Sequence, residues 1–195
     1  MAWFLLLAYH GLLFRRFYFQ NPYAYASSEL LEQGFSSFLH LGRERRAGHW
    51  VPHDPYYYPD YASLPFLSSF YPPHAVAAWL ATFLPLNQAW MLYCLTMVCH
   101  CGLSSVGMYI LLASVLSLTS LSAGVAAVTL SSLGYAMKQN SSIIYTTSWV
   151  PVFILSALSH HTSLTGISLG MMLLAGYWPI ALMAVPLGCL AWLLG

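Results

Sequence analysis

Apolar positions run in long blocks through the last two thirds of the chain, and polar ones gather in a single early segment. A helix needs about 20 apolar residues to cross a bilayer, because every backbone amide in hydrocarbon requires an internal partner. By that measure residues 89–112, a run of 24, form a clear span, and 119–137 form another, rich in Ser, Gly and Ala. Residues 75–84 read as a half-helix ending near Pro85, and 138–147 as a polar loop. Residues 148–159 are apolar but short, with Pro151 in the first turn or at a kink, and His160-His161-Thr162-Ser163 reads as a turn. Residues 164–194 hold one or two passes broken by Pro179 and Pro186. At the other end, residues 1–14 resemble the back half of a first transmembrane helix, as though the chain began inside it.

Between these blocks, Ser28 can cap a helix whose first turn carries Glu29 and Glu32. Leu31, Phe35, Phe38 and Leu39 then recur on one face, a stripe suited to lying along a membrane surface, and the polar Gly42-Arg43-Glu44-Arg45-Arg46 ends it. Prolines 52, 55, 59, 65, 72 and 73 forbid a long helix across residues 51–73. The expected fold is all-α: a polytopic membrane protein of four or five transmembrane helices with a large first loop bearing an amphipathic surface helix. Its parts are a truncated first helix (1–14), a polar and aromatic loop (15–73) and a helix bundle (74–195).

Composition sharpens this. Of 195 residues, 59% are hydrophobic and 6% charged, against roughly 25% charged in a soluble domain. Ten of the eleven Asp, Glu, Lys and Arg residues lie between Arg15 and Asp60, and the eleventh is Lys138. So few charges cannot solvate a globule of this size, and the pattern excludes a disordered chain and a polybasic nucleic-acid binder. The cysteines (94, 99, 101 and 189) sit in apolar segments and read as small buried hydrophobes. Cys99-His100-Cys101 lacks the second half of a zinc site, so no metal is expected there.

Several patterns invite chemistry. Gly166-Ile-Ser168-Leu-Gly170 spells a nucleophile elbow but lacks its strand–turn–helix setting, and no spacing selects His100, His160 or His161 as a partner for Ser168. Gly166-xxx-Gly170, Ser120-xxx-Gly124 and Ala123-xxx-Ala127 are helix-packing spacings. Lys138 either snorkels at a helix end or pairs with a phosphate. The carboxylates Glu29, Glu32, Asp54 and Asp60 share the loop, where a transfer from a lipid-linked donor would need a base and a means of steadying the departing phosphate. Glu29 and Gln33 share a helix face, while the bland alternative makes Glu29 and Glu32 dipole partners and Asp54 a turn residue. Trp50 and Tyr56 are placed to stack on a sugar, or belong to an interfacial aromatic belt.

Taken in order, these elements resemble the N-terminal part of the YfhO-type bacterial membrane proteins, relatives of the GT-C glycosyltransferases that use polyprenyl-phosphate sugars. Glu29-Leu-Leu-Glu-Gln33 occupies the place of an acidic residue followed four positions later by Gln, although the family has Asp there. Gly48-His-Trp-Val-Pro52-His-Asp54-Pro55-Tyr56, Leu64-Pro65 and Tyr71-Pro72 match its loop pattern, with Ser63 in place of a Gly. Trp149-Val-Pro151 is similar to its W-x-P, and Leu173-Leu-Ala-Gly176-Tyr-Trp-Pro179 to a later element whose His and Gln are missing here.

The resemblance implies transfer of a sugar from a polyprenyl phosphate to a cell-envelope acceptor, by part of a longer protein in the cytoplasmic membrane. Glu29 would be the base, with Asp54 as second choice, Gln33 would orient the acceptor, and Lys138 or the loop arginines would contact the phosphate. The donor is a substrate, and no cofactor is implied. Partners would be the bilayer, the lipid-linked sugar and the remainder of the protein or another membrane subunit. The resemblance also turns the loop outward, whereas the Arg and Lys distribution, taken alone, turns it toward the cytoplasm. The competing expectation is a non-catalytic multi-pass protein, or a decayed fragment, that acts by packing against a partner.

Overall fold

The computed structural model describes residues 8–12, 15, 34–49, 70–115, 117–136 and 141–195. Apart from a helical stretch at 8–12, its elements are α1 (Ser36–Arg46), α2 (Pro72–Ala81), α3 (Leu86–Val115), α4 (Ser120–Ala136), α5 (Ser141–Leu158), α6 (Thr162–Leu174) and α7 (Trp178–Leu194). No strand occurs among the described residues, so the all-α expectation holds there.

α3 is the longest element. Its 30 residues extend about 45 Å, and it is the one helix, among the described residues, long and apolar enough to cross a membrane. Ala89, Trp90, Tyr93, Cys94, Met97, His100, Cys101 and Ser105 are buried at helical spacing, which defines a single inward face. The opposite face carries Met91 and Leu95 in the open rather than charges. Four shorter apolar helical segments come after it: Ser120–Thr129, Ile143–Leu158, Thr162–Leu174 and Trp178–Leu194.

α5 is the hub, packing against α3, α6 and α7, while α4 lies on α3. Gly107 on α3 lets α5 approach, since a Cβ there would stand 3.0 Å from the Pro151 Cβ. Ala123 and Ala127 are fully buried, so that small-residue spacing is a helix contact, whereas Gly124, Gly166 and Gly170 face open space.

α1 and α2 lie side by side and run the same way. Phe38 meets His74, Gly42 meets Ala78, and Arg46 reaches Thr82, at a constant offset of 36 residues (74 − 38, 78 − 42, 82 − 46). Gly42 is required there, because a Cβ would overlap the Ala78 carbonyl oxygen. α2 then doubles back on α3 through the turn at 82–85.

Several expectations change. The polar loop at 138–147 is helical from Ser141, because Ile144, Tyr145 and Thr146 bury their side chains, and the Thr147 and Ser148 hydroxyls donate to the Ile143 and Tyr145 carbonyls within the helix. Pro151 therefore lies inside α5 rather than in its first turn. The Phe35 and Phe38 stripe packs on the protein's own Trp90, Tyr93 and His74 instead of a membrane surface. Cys94 and Cys101 are buried as expected, but Cys99 and Cys189 are exposed. The half-helix begins at Pro72, where two prolines fit a first turn, and α1 continues to Arg46. The turn expected over His160-His161-Thr162-Ser163 is shorter, with His160 at a φ of +52° and α6 already begun at Thr162, and Gly176 at φ +91° separates α6 from α7.

Candidate functional site

Three elements converge on one buried cluster of aromatic, imidazole and hydroxyl side chains. Tyr71 stands in extended conformation just before α2, which directs its ring inward. α3 contributes Tyr93, Thr96 and His100, spaced i, i+3 and i+7 on its inward face. α5 contributes Tyr145 and, one turn on, Trp149.

Hydrogen bonding orders the cluster. Trp149 Nε1–H can only donate, and it donates to the Tyr71 hydroxyl oxygen at 2.7 Å. His100 Nδ1 lies at 2.5 Å from the Thr96 carbonyl oxygen, which can only accept, so Nδ1 carries the proton and Nε2 accepts from Tyr71. The chain thus runs Trp149 to Tyr71 to His100 to the α3 backbone with a neutral imidazole. A second chain lies beside it. The Thr96 hydroxyl donates to the Tyr93 carbonyl (2.7 Å), so it accepts from the Tyr145 hydroxyl (3.0 Å), whose oxygen faces His74 Nδ1 at 3.4 Å. The rings pack accordingly: Tyr71 stacks on Tyr145 at 5.5 Å between centroids, and His100 lies tilted by 53° against Tyr145 at 4.5 Å.

The cluster supplies fixed tautomers and directed donors rather than a reactive group, since every polar atom in the Trp149–Tyr71–His100 chain already has a partner. No group of three or more His, Cys, Asp or Glu that could hold a metal occurs among the described residues. Cys99 is exposed while Cys101 is buried, so the C-x-C pair does not converge. Ser168 donates to the Leu164 carbonyl at 2.7 Å within its own helix, as befits a packing serine. A further polar contact joins the first helical stretch to α3: Ser105 Oγ donates to the Cys101 carbonyl and so accepts from His10 Nε2 at 2.5 Å.

The residues that sequence reasoning put forward for chemistry, Glu29, Gln33, Trp50, Asp54, Tyr56 and Lys138, all lie outside the described residues. What the structure does bring together are three of the sequence elements that carry the resemblance. Tyr71-Pro72 and Trp149-Val-Pro151 meet through the 2.7 Å hydrogen bond, across 78 positions of chain. Gly176-Tyr-Trp-Pro179 is tied to the same helix, where the Tyr177 amide donates to Thr146 Oγ1 at 3.3 Å. The cluster itself was overlooked in the sequence, although Tyr93, Thr96 and His100 make a polar stripe on an otherwise apolar helix. Such a stripe is the usual sign of polar groups gathered inside a helix bundle.

Comparison with models of protein families, with curated proteins and with solved structures finds no match for this chain.

Proposed function

We propose that this is a multi-pass membrane protein of the YfhO type, with four or five crossings, that transfers a sugar from a polyprenyl phosphate to a cell-envelope acceptor at the outer face of the cytoplasmic membrane. The observation that carries the reading is the Tyr71–Trp149 hydrogen bond. It joins two motifs of the resemblance that are remote in sequence, Tyr71-Pro72 and Trp149-Val-Pro151, and so places them on one buried site.

Surface chemistry supports the membrane setting. Leu121, Leu182, Met183, Leu193 and Leu194 are each more than 60% exposed on helices α4 and α7, which carry no charged residue. In water such a surface would drive association, whereas in lipid it is the ordinary exterior of a helix bundle.

In this reading the buried cluster is a rigid floor. It pins the start of α2, and with it the end of the loop that carries Asp54, against the bundle. Glu29 takes the proton of the acceptor hydroxyl, with Asp54 as the alternative base, Gln33 orients the acceptor, and Trp50 and Tyr56 stack on the sugar. Lys138 or the loop arginines steady the leaving phosphate. The test is sugar transfer by the reconstituted protein from a panel of polyprenyl-phosphate sugars. Glu29→Gln or Asp54→Asn should abolish it, and full rates in both variants would refute the assignment.

A further inference from the structure

The last turn of α1 and the start of α3 enclose a cleft of about 530 Å³ that has no part in the buried cluster. Arg43 and Arg46, one helical turn apart, line it together with Leu39, Thr82, Leu84 and Leu86. We propose that this cleft binds the phosphate group of a membrane lipid, with the two guanidinium groups holding the phosphate and the lipid chain lying along the apolar ledge beside it.

Four observations converge on that ligand. The first is charge: none of the described lining residues is acidic, and the neighbouring Glu44 is engaged with His49 at 2.9 Å. The second is preorganisation. Arg46 Nη1 donates to the Thr82 carbonyl at 3.4 Å, and its guanidinium lies over the Phe83 ring, 4.9 Å from the centroid. Those contacts use one N–H and one face, and the planar fork keeps further donors for a bidentate oxyanion. The third is the apolar rim: Phe83, Leu84 and Leu86 are 56%, 38% and 59% exposed, a hydrocarbon surface immediately beside two cations. The fourth is position. The cleft sits level with the first turn of α3, the helix long enough to cross a membrane, where lipid phosphates lie. A soluble phosphate would satisfy the arginines but has no use for the ledge.

The site rests on the proposed membrane placement and not on sugar transfer: its ligand is a structural phospholipid, and the donor's leaving phosphate falls to Lys138 or to loop arginines other than Arg43 and Arg46. The test is native mass spectrometry of the full chain in detergent micelles, titrated with phosphatidylglycerol. The wild type should retain one lipid, and Arg43→Gln combined with Arg46→Gln should weaken retention by at least about tenfold. Ala47→Trp, which fills the cleft from an exposed position and leaves both arginines intact, should weaken it as well. Arg45→Gln, which alters a residue that stacks on Phe70 away from the cleft, should leave it unchanged. Equal retention by wild type, double variant and filled variant overturns the site, and full displacement by inorganic phosphate overturns the lipid assignment. A chain that stays monodisperse without detergent overturns the membrane placement and the site together.

Discussion

Replacing Tyr71 with phenylalanine removes one oxygen atom and leaves the ring packing on Tyr145 in place. That oxygen serves two neighbours: it accepts from Trp149 Nε1–H and donates to His100 Nε2. Both are left without their partner in a site too crowded for easy replacement by water. An orphaned buried polar group costs about 1–3 kcal/mol, with the half-buried Trp149 near the lower end and the buried His100 near the middle. The expected loss is about 2–4 kcal/mol, large for the deletion of one hydroxyl.

Thermal unfolding in detergent, followed by near-ultraviolet circular dichroism, measures it. The sharper readout is a double-mutant cycle with Trp149→Phe, because the penalty at Trp149 exists only while the indole N–H is present. Phenylalanine at both positions should therefore lose less than the two single losses combined, with a coupling of about 1 kcal/mol. Hydrogen bonds inside membrane bundles average about 0.6 kcal/mol, so a somewhat smaller coupling still fits. Strict additivity would refute the directed chain through Tyr71.

Three further outcomes rest on the packing. Gly42→Ala should destabilise the protein by about 1–3 kcal/mol in the same unfolding assay, since its methyl group would meet the Ala78 carbonyl of a neighbouring backbone; an unchanged midpoint would mean that α1 and α2 are not in contact. Gly166→Ala and Gly170→Ala, where nothing stands within 4 Å, should each add up to about 1 kcal/mol of stability through helix propensity; a loss of stability, or a change of mass in light scattering, would mean that another chain packs there. His49→Cys, at an exposed position just past the Arg46 end of α1 in a chain whose four native cysteines are replaced, should react with a membrane-impermeant maleimide on intact cells; labelling only after lysis would turn the loop inward and refute the proposed orientation.

The elements were largely legible in the sequence because apolar run length and proline position are local signals. The expected 89–112 span lies inside Leu86–Val115, and 119–137 corresponds to Ser120–Ala136. The start of α5 was hidden for a physical reason. Residues 141–148 are rich in Ser and Thr, which read as loop when their hydroxyls are counted as needing water. In the structure the Thr147 and Ser148 hydroxyls return to carbonyls of the same helix instead. The role of Gly42 was equally hidden. A glycine before a charged run reads as a terminator, and only the approach of α2, 36 positions on, makes it a contact. The buried cluster depends on three segments remote in sequence, and no local pattern specifies which hydroxyl meets which imidazole.

Depth gives the cluster its meaning. His100 lies 14 residues into α3, close to the midpoint of the 30-residue helix. α2 has 10 residues and runs antiparallel to α3 from the Tyr71–His100 contact back to the turn at 82–85, so it covers only about 15 Å, half of a typical hydrocarbon core. If α3 crosses the membrane, α2 is a re-entrant half-helix, and the chain arrives at Tyr71 from the aromatic loop near the middle of the bilayer. Irregular backbone at that depth is tolerated only against protein or along a water-filled cavity. The cluster supplies the protein wall: it gives Tyr71 both a donor and an acceptor and keeps His100 neutral, as hydrocarbon surroundings demand. Breaking the Tyr71 contact should accordingly disturb the loop before it unfolds the bundle.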